Sequence, residues 1–326
     1  MVLAIDDEWV WDFWLADDGR QYHLYFLHAS RGLGDEAMRH RAARIGHAIS
    51  TDLRNWIVLG DIFDVGPLGD FDDTATWTGS VVQGSDGLWR MFYTGARFHR
   101  PWPDPHNTES IGVAVSDDLH HWRKLPGPVV TADPIWYETF GTSTWREEAW
   151  RDPWVYPDPS GRGWHMLVTA RAGHGPVDDR GVIGHAVSSD LATWMVLPSV
   201  TPPGLGFQHM EVPQLLIAPN GAQSILFSCS HEALADRLRL GGTRGGVWAI
   251  PVDDNARASA NSEAVLVSSE RLYSARIIRD RDGEYQMLAV DNLDPSAGFI
   301  GRISDPMAID FDARAIPRLK QPVLAG

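Results

Sequence analysis

The chain has 326 residues, with 28 Lys and Arg against 43 Asp and Glu, and its net charge of -15 repels nucleic acid and anionic membrane surfaces. A neutral small molecule or oligosaccharide is therefore the expected partner, and composition specifies no oligomeric state. Hydrophobic residues make up 44%, enough for a large core, but no apolar run approaches the roughly 20 residues that span a bilayer.

From the N-terminus, MVLAIDDEWV has neither a basic leader nor a long apolar stretch, which predicts a cytoplasmic protein unless a leader has been removed. The first strand lies around Asp12 in WVWDFW, and 22–28 (YHLYFLH) is the second. After a loop over 31–44, residues 45–56 read IGHAISTDLRNW. The next unit repeats the order: TWTGS near Gly79, LWRMFYT at 88–94, a loop over 96–109, and IGVAVSDDLHHW at 111–122. A loop over 131–149 leads to WRDPW around Asp152, WHMLVT at 164–169 and IGHAVSSDLATW at 183–194. Alternating apolar and small residues in the repeated phrase mark a strand, Ser-x-Asp-Leu a turn, and the closing Trp opens an outer strand. Two degenerate units follow: HMEVPQ at 209–214, AQSILFS at 222–228 and GVWAIPV at 246–252, then a strand near Ser274, EYQMLAV at 284–290 and GFIGRIS at 298–304. The one short helix is expected over 231–239. Cys229, the lone cysteine, excludes an internal disulfide and reads as a small buried side chain.

Five units of three or four strands predict an all-β five-bladed β-propeller filling residues 1–326 as a single domain, with no C-terminal β-sandwich. The long loops are expected to rim one face. Innermost strands line the channel, where a carboxylate has little apolar reason to exist. Asp12, Asp152 and Glu211 read as occupying one equivalent position in blades 1, 3 and 4. Each alone could be a strand-end or ion-paired acid, and the surrounding aromatics ordinary packing. Together they would raise one another's pKa at a cost to stability, which favours a functional site.

These contexts resemble the clan of glycoside hydrolase families 32 and 68, the invertases, fructanases and levansucrases. Arg151-Asp152-Pro153 matches the shared Arg-Asp-Pro motif; Glu211-Val212-Pro213 is similar to Glu-Cys-Pro, with Val replacing Cys; Trp77-Thr78-Gly79-Ser80 resembles Trp-Ser-Gly-Ser. Asp12 in VWDFW resembles the tryptophan-flanked nucleophile of family 68, and Asn-Asp-Pro-Asn-Gly is missing. The resemblance implies that Asp12 is a nucleophile, Asp152 a transition-state stabiliser and Glu211 an acid/base, whose pKa its apolar neighbours Met210, Val212 and Pro213 and the other two carboxylates are expected to raise. It also implies a retaining hydrolase or fructosyltransferase on sucrose-type or fructan-type β-fructofuranosides, with no cofactor and no metal. Trp11, Trp14, Trp77, Thr78, Ser80, Trp145 and Arg151 are the expected substrate contacts. Asp72 and Asp73 read as loop caps, and Glu147 and Glu148 as structural loop residues.

Three other readings stay open. A family-43-like furanosidase or xylosidase would invert, with its carboxyls roughly 6.5 to 9.5 Å apart instead of roughly 5 to 5.5 Å. A propeller phosphorylase would need a basic pocket, from Arg97, His99 and Arg100 or from His40, Arg41 and Arg44. A sugar-binding propeller without turnover would need no intact acid trio.

Overall fold

The thrice-written phrase is a strand ending in a capped turn. Asp52, Asp118 and Asp190 each accept bonds from the backbone N–H groups two and three residues on, and from the Ser two residues back. The Leu that follows takes a positive φ, +61°, +65° and +63° at Leu53, Leu119 and Leu191. That backbone is unfavourable for a branched residue, and it is offset by burying the leucine, worth about 1.5 to 3 kcal/mol. The Gly of the phrase is steric: a Cβ on Gly46 would lie 2.5 Å from the Phe26 ring, and one on Gly184 2.7 Å from Val168.

The computed structural model describes residues 2–142, 145–294, 296 and 298–320. Its antiparallel sheets are the blades of a five-bladed β-propeller, whose innermost strands contact one another in a closed ring. Blade 1 is Glu8–Asp17, Tyr22–Ser30, Arg44–Ser50 and Ile57–Asp61; blade 2 is Ala75–Gln83, Trp89–Phe98, Asn107–Ser116 and Arg123–Lys124. Blade 3 is Trp150–Pro157, Trp164–Arg171, Gly181–Ser188 and Met195–Leu197; blade 4 is Glu211–Ile217, Gln223–Cys229, Gly246–Val252 and Val265–Ser269. Blade 5 runs Leu272–Arg279, Tyr285–Asp294, Met307–Phe311 and Pro317–Leu319. Its expected third strand, Gly298–Ile303, pairs with the far half of Tyr285–Asp294, and Met307–Phe311 takes the near half. Leu3 bridges Ile303, so residues before blade 1 pair with blade 5.

The core is a set of seams in which apolar faces of neighbouring blades interlock: blades 1, 2 and 5 around Trp14 and Tyr25, 2 and 3 around Trp150, 3 and 4 around Phe207, 4 and 5 around Met287. The helix expected over 231–239 is instead a 3-10 turn, His231–Ala233, and one short helix, Asp236–Arg239. Cys229 is buried. Residues 31–44 hold two 3-10 turns, Arg31–Leu33 and Glu36–His40. Much of 96–109 is strand, leaving 99–106 as the connection. In 131–149, of which 143 and 144 lie outside the described residues, Glu147–Glu148 pairs in parallel with Asn107 and Thr108. All three segments reach one cavity.

Candidate active site

Every innermost strand breaks register once, at the same level: after Trp11, Trp77, Arg151, Glu211 and Tyr273. Such a bulge leaves a residue unpaired and re-aims its side chain. The residues at the break are Asp12, Thr78, Asp152, Val212 and Ser274, and four have positive φ: +23° at Asp12, +59° at Asp152, +54° at Val212 and +45° at Ser274. Each strained position costs about 1 to 3 kcal/mol and persists only where surrounding contacts impose it. The channel end therefore carries two rings of equivalent residues, Trp11, Trp77, Arg151, Glu211 and Tyr273 in one, Asp12, Thr78, Asp152, Val212 and Ser274 in the other. This corrects the expectation of one equivalent position for the three acids. Glu211 stands one residue earlier, in register with Arg151.

In the second ring Asp12 accepts from Thr78 Oγ1 at 2.7 Å on one oxygen and from Ser274 Oγ on the other. Burial raises its pKa, as does the nearby Glu211, against the lowering effect of these two bonds. Asp152 accepts from Thr169 Oγ1 at 2.7 Å and from the Val212 N–H at 3.1 Å. Burial pushes it up to about 6 although Arg151 opposes the rise. Thr94 ties neighbouring blades together: its Oγ1 accepts from the Asp152 N–H at 2.9 Å and donates to the Thr78 carbonyl at 3.0 Å. Beneath both acids, buried Arg276 donates to the carbonyls of Val212 and Pro213 at 3.1 and 2.8 Å. Burial draws its pKa down only to about 10, so it stays cationic.

In the first ring Arg151 is the hub. Nη2 donates to Glu211 Oε1 at 2.6 Å and to His209 Nδ1 at 3.1 Å; Nη1 reaches Glu109 Oε2 at 3.1 Å and Glu147 Oε1 at 3.5 Å; Nε lies 3.6 Å from Asp152. Since a guanidinium cannot accept, His209 Nδ1 is the acceptor and its proton sits on Nε2, 3.1 Å from Glu147. Glu211 Oε2 accepts from the Tyr273 hydroxyl. Burial pushes Glu211 upward, but the Arg151 guanidinium and the Tyr273 bond outweigh it and hold its pKa below the usual glutamate value. The raised pKa expected from its apolar neighbours is thus corrected: the resting site spends its strongest cation on this carboxylate.

The rings open into a cavity of about 710 Å³, within the roughly 300 to 1,000 Å³ of small-molecule sites. Its wall includes Trp11, Trp77, Phe98, Trp102, Trp145 and Phe299. Trp77 Nε1 donates to the His40 carbonyl at 2.7 Å, fixing the ring edge-on to His40. Trp145 lines the cavity with one face covered by the Arg171 guanidinium at 3.7 Å.

Of the expected residues, Asp12, Asp152, Glu211, Trp11, Trp77, Thr78, Trp145 and Arg151 share this cavity, and two do not. Trp14 is fully buried and stacked on Tyr25, because it falls on the opposite side of the bulge. Ser80 is buried in the seam between blades 2 and 3, where its Oγ accepts from the Val155 N–H at 3.0 Å. Asp72 is not a loop cap but a buried partner of Lys124 and Tyr93, while Asp73 does cap Gly69. Glu147 belongs to the Arg151 network, and Glu148 accepts from the Phe140 N–H. Sequence reasoning missed Tyr273, which the blade register would have found beside Ser274. It also missed Glu109, a fully buried acid accepting from Arg151 and the Trp150 N–H, raised by burial to about 8 despite Arg151. Nothing in its local sequence, NTESIG, marks it.

The loop cations of the phosphorylase reading are already engaged. Arg97 donates to the Gly69 carbonyl, Arg41 to the carbonyls of Arg100 and Asp104, Arg100 pairs with Asp104 and Arg44 with Asp61. His40 is held well below the usual histidine pKa by burial and by the charges of Arg39 and Arg151.

Residues 15–239 match the model of the glycosyl hydrolases family 32 N-terminal domain, a stretch that contains Asp152 and Glu211 and begins just after Asp12. Over 182 residues the chain is 29% identical to an insoluble β-fructofuranosidase isoenzyme of Arabidopsis thaliana, a match covering 54% of this chain and 28% of that protein. Among solved structures, an inulosucrase from Halalkalicoccus jeotgali bound to kestose superposes with a TM-score of 0.77 at 21% identity, covering 97% of this chain and 87% of that one. A β-fructofuranosidase from Bombyx mori gives 0.70 at 17%, covering 99% and 64%, and the catalytic domain of one from Microbacterium saccharophilum gives 0.72 at 16%, covering 98% and 82%. At these identities the structural likeness is one of fold.

Proposed function

Because the chain belongs to glycosyl hydrolase family 32, we propose that it cleaves β-fructofuranosidic bonds of the sucrose or fructan type with retention, through a fructosyl ester on Asp12. The observation that carries the reading is the convergence of Asp12, Asp152 and Glu211 on one cavity, each with its own hydrogen-bond environment.

Asp12, oriented at both oxygens by Thr78 and Ser274, would attack the anomeric C2 while Glu211 gives its proton to the departing glycosidic oxygen. The C2–O bond to the leaving sugar breaks as the C2–O bond to Asp12 forms. Glu211, now ionised, takes a proton from water, whose oxygen attacks C2 and frees Asp12; one water is consumed per bond cleaved. With a sugar hydroxyl in place of that water the product is a longer fructan. Asp152 accepts bonds from fructosyl hydroxyls, which tighten as positive charge grows on the ring.

Both shifts run against the protonation states required, since burial raises Asp12 while Arg151 lowers Glu211. The population of the reactive form, Asp12 ionised and Glu211 protonated, peaks between the titrations of the two acids. Binding a sugar that draws Arg151 away from Glu211 would raise the Glu211 pKa and enlarge that population. Asp12→Ala and Glu211→Ala should each abolish fructose release from sucrose and inulin. Retained activity in either variant removes the mechanism.

A further inference from the structure

We propose that His23, His47 and His120 form a binding site for a divalent transition-metal ion at the seam between blades 1 and 2, remote from the acids. One ring nitrogen from each lies within 4.8 Å of the other two. His23 Nδ1 and His47 Nε2 are 3.0 Å apart, close to the roughly 3.3 Å between two nitrogens of a tetrahedral zinc bound at about 2.0 Å. His120, on the turn that ends the blade 2 phrase, is partly exposed, and its ring centroid is 5.0 Å from His23 and 5.3 Å from His47. A rotation moving its nitrogen by about 1.5 Å brings in a third ligand.

An unpartnered buried group points the same way. His23 Nε2 is buried without a hydrogen-bond partner, 3.7 Å from Asp18 Oδ2. A metal on Nδ1 would fix the His23 proton on Nε2, facing Asp18, the carboxylate–histidine–metal arrangement that orients ligating imidazoles. In the 3.0 Å contact between His23 Nδ1 and His47 Nε2 one ring donates and the other accepts, so a tautomer shift of the donor ring turns both lone pairs toward the ion.

Blade 3 provides an internal comparison. His165 and His185 fill the slots of His23 and His47, stacked with Nδ1 and Nε2 2.9 Å apart. There His165 Nε2 bonds Asp158 at 3.2 Å, and no third ligand gathers among the described residues. Three imidazoles without thiolate or carboxylate suit zinc, cobalt, nickel or copper, not calcium or magnesium. A surface depression lined by His47, Asp61, His120, His121 and Trp122 leaves a path for the ion and for a water as fourth ligand. It shares no lining residue with the acid cavity. The ion would cross-link the blades beside the Tyr25 hydroxyl, which donates to the Leu119 carbonyl at 2.7 Å.

The test titrates the chelator-stripped full chain with zinc against a chromophoric competitor, with cobalt absorption reporting geometry. The proposal predicts one tight equivalent per chain, tetrahedral cobalt bands, and a rise in melting temperature with zinc. His120→Ala should weaken binding by at least about 10-fold and abolish the zinc-dependent rise, while replacing His174, an exposed histidine outside the cluster and its depression, with Ala leaves binding as in the parent. No stoichiometric binding by the parent chain, or His120→Ala binding as tightly as the parent, overturns it.

Discussion

Thr169→Val removes one hydrogen-bond donor to Asp152 and almost nothing else. Both groups are buried, the Thr169 hydroxyl donates to Oδ2 at 2.7 Å, and valine fills the same shape. A bond to an ionised group contributes about 1.5 to 3 kcal/mol. At about 1.36 kcal/mol per pKa unit, losing it raises the Asp152 pKa by about 1 to 2 units. The hydroxyl also lies 3.2 Å from the Met210 carbonyl, which shares its proton and favours the lower end. Asp152 starts from about 6 and must be ionised to accept bonds from the sugar, so it sets a requirement on the acid limb of kcat/KM. Initial rates of fructose release from sucrose across the pH range should show that limb displaced upward by about 1 to 2 units. Below the limb the variant should lose roughly 10-fold to 100-fold and at high pH recover most of the parent rate. Thr169 bonds neither Asp12 nor Glu211, so the displacement reports Asp152. An unmoved limb, or an equal loss at every pH, would refute the assignment.

Three further outcomes follow from the same contacts. Trp14→Ala should lower the unfolding free energy by about 3 to 5 kcal/mol in urea titrations and leave KM near the parent value, since the ring is core and not sugar platform; a raised KM in folded protein contradicts its placement. Ser80→Ala should cost about 1 to 3 kcal/mol, because the buried Val155 N–H loses its acceptor, with kcat unchanged in the fraction that stays folded. Glu109 binds a proton in the folded chain more tightly than in the unfolded one, its pKa rising from 4.5 to about 8. It therefore subtracts stability as pH rises through that window. Glu109→Gln should shrink this slope, its stability relative to the parent improving from about pH 5 to about pH 8; parallel pH dependences would contradict the buried-acid account.

The blade count was legible because the phrase encodes its own turn: an Asp that caps, a Leu forced to positive φ, and a Gly beneath a neighbouring side chain. The same ruler located the innermost strands, and so Asp12 and Asp152. It could not show that each strand spends an extra residue at a bulge. For that reason Glu211 fell in register with Arg151 instead of Asp152, Trp14 turned into the core, and Ser80 moved off the channel into a seam. Tyr273 stood beside the located Ser274, but its hydroxyl has meaning only once Glu211 is opposite. Glu109 arrives from the third strand of blade 2, and only the folded chain brings it to Arg151. The Glu211 pKa illustrates the same limit, since its apolar neighbours are readable in sequence and the guanidinium at 2.6 Å is not.

The central claim is a fructosyl ester on Asp12, and trapping it is the most direct measurement. Glu211→Ala would be mixed with an aryl β-fructofuranoside whose leaving group needs no proton, then quenched in acid and analysed by intact and peptide mass. The account predicts one fructosyl increment on the peptide containing Asp12, absent in the Asp12→Ala, Glu211→Ala double variant. Turnover by the parent chain with no adduct in the trapped variant, and with fructose first released as the inverted anomer, would contradict it.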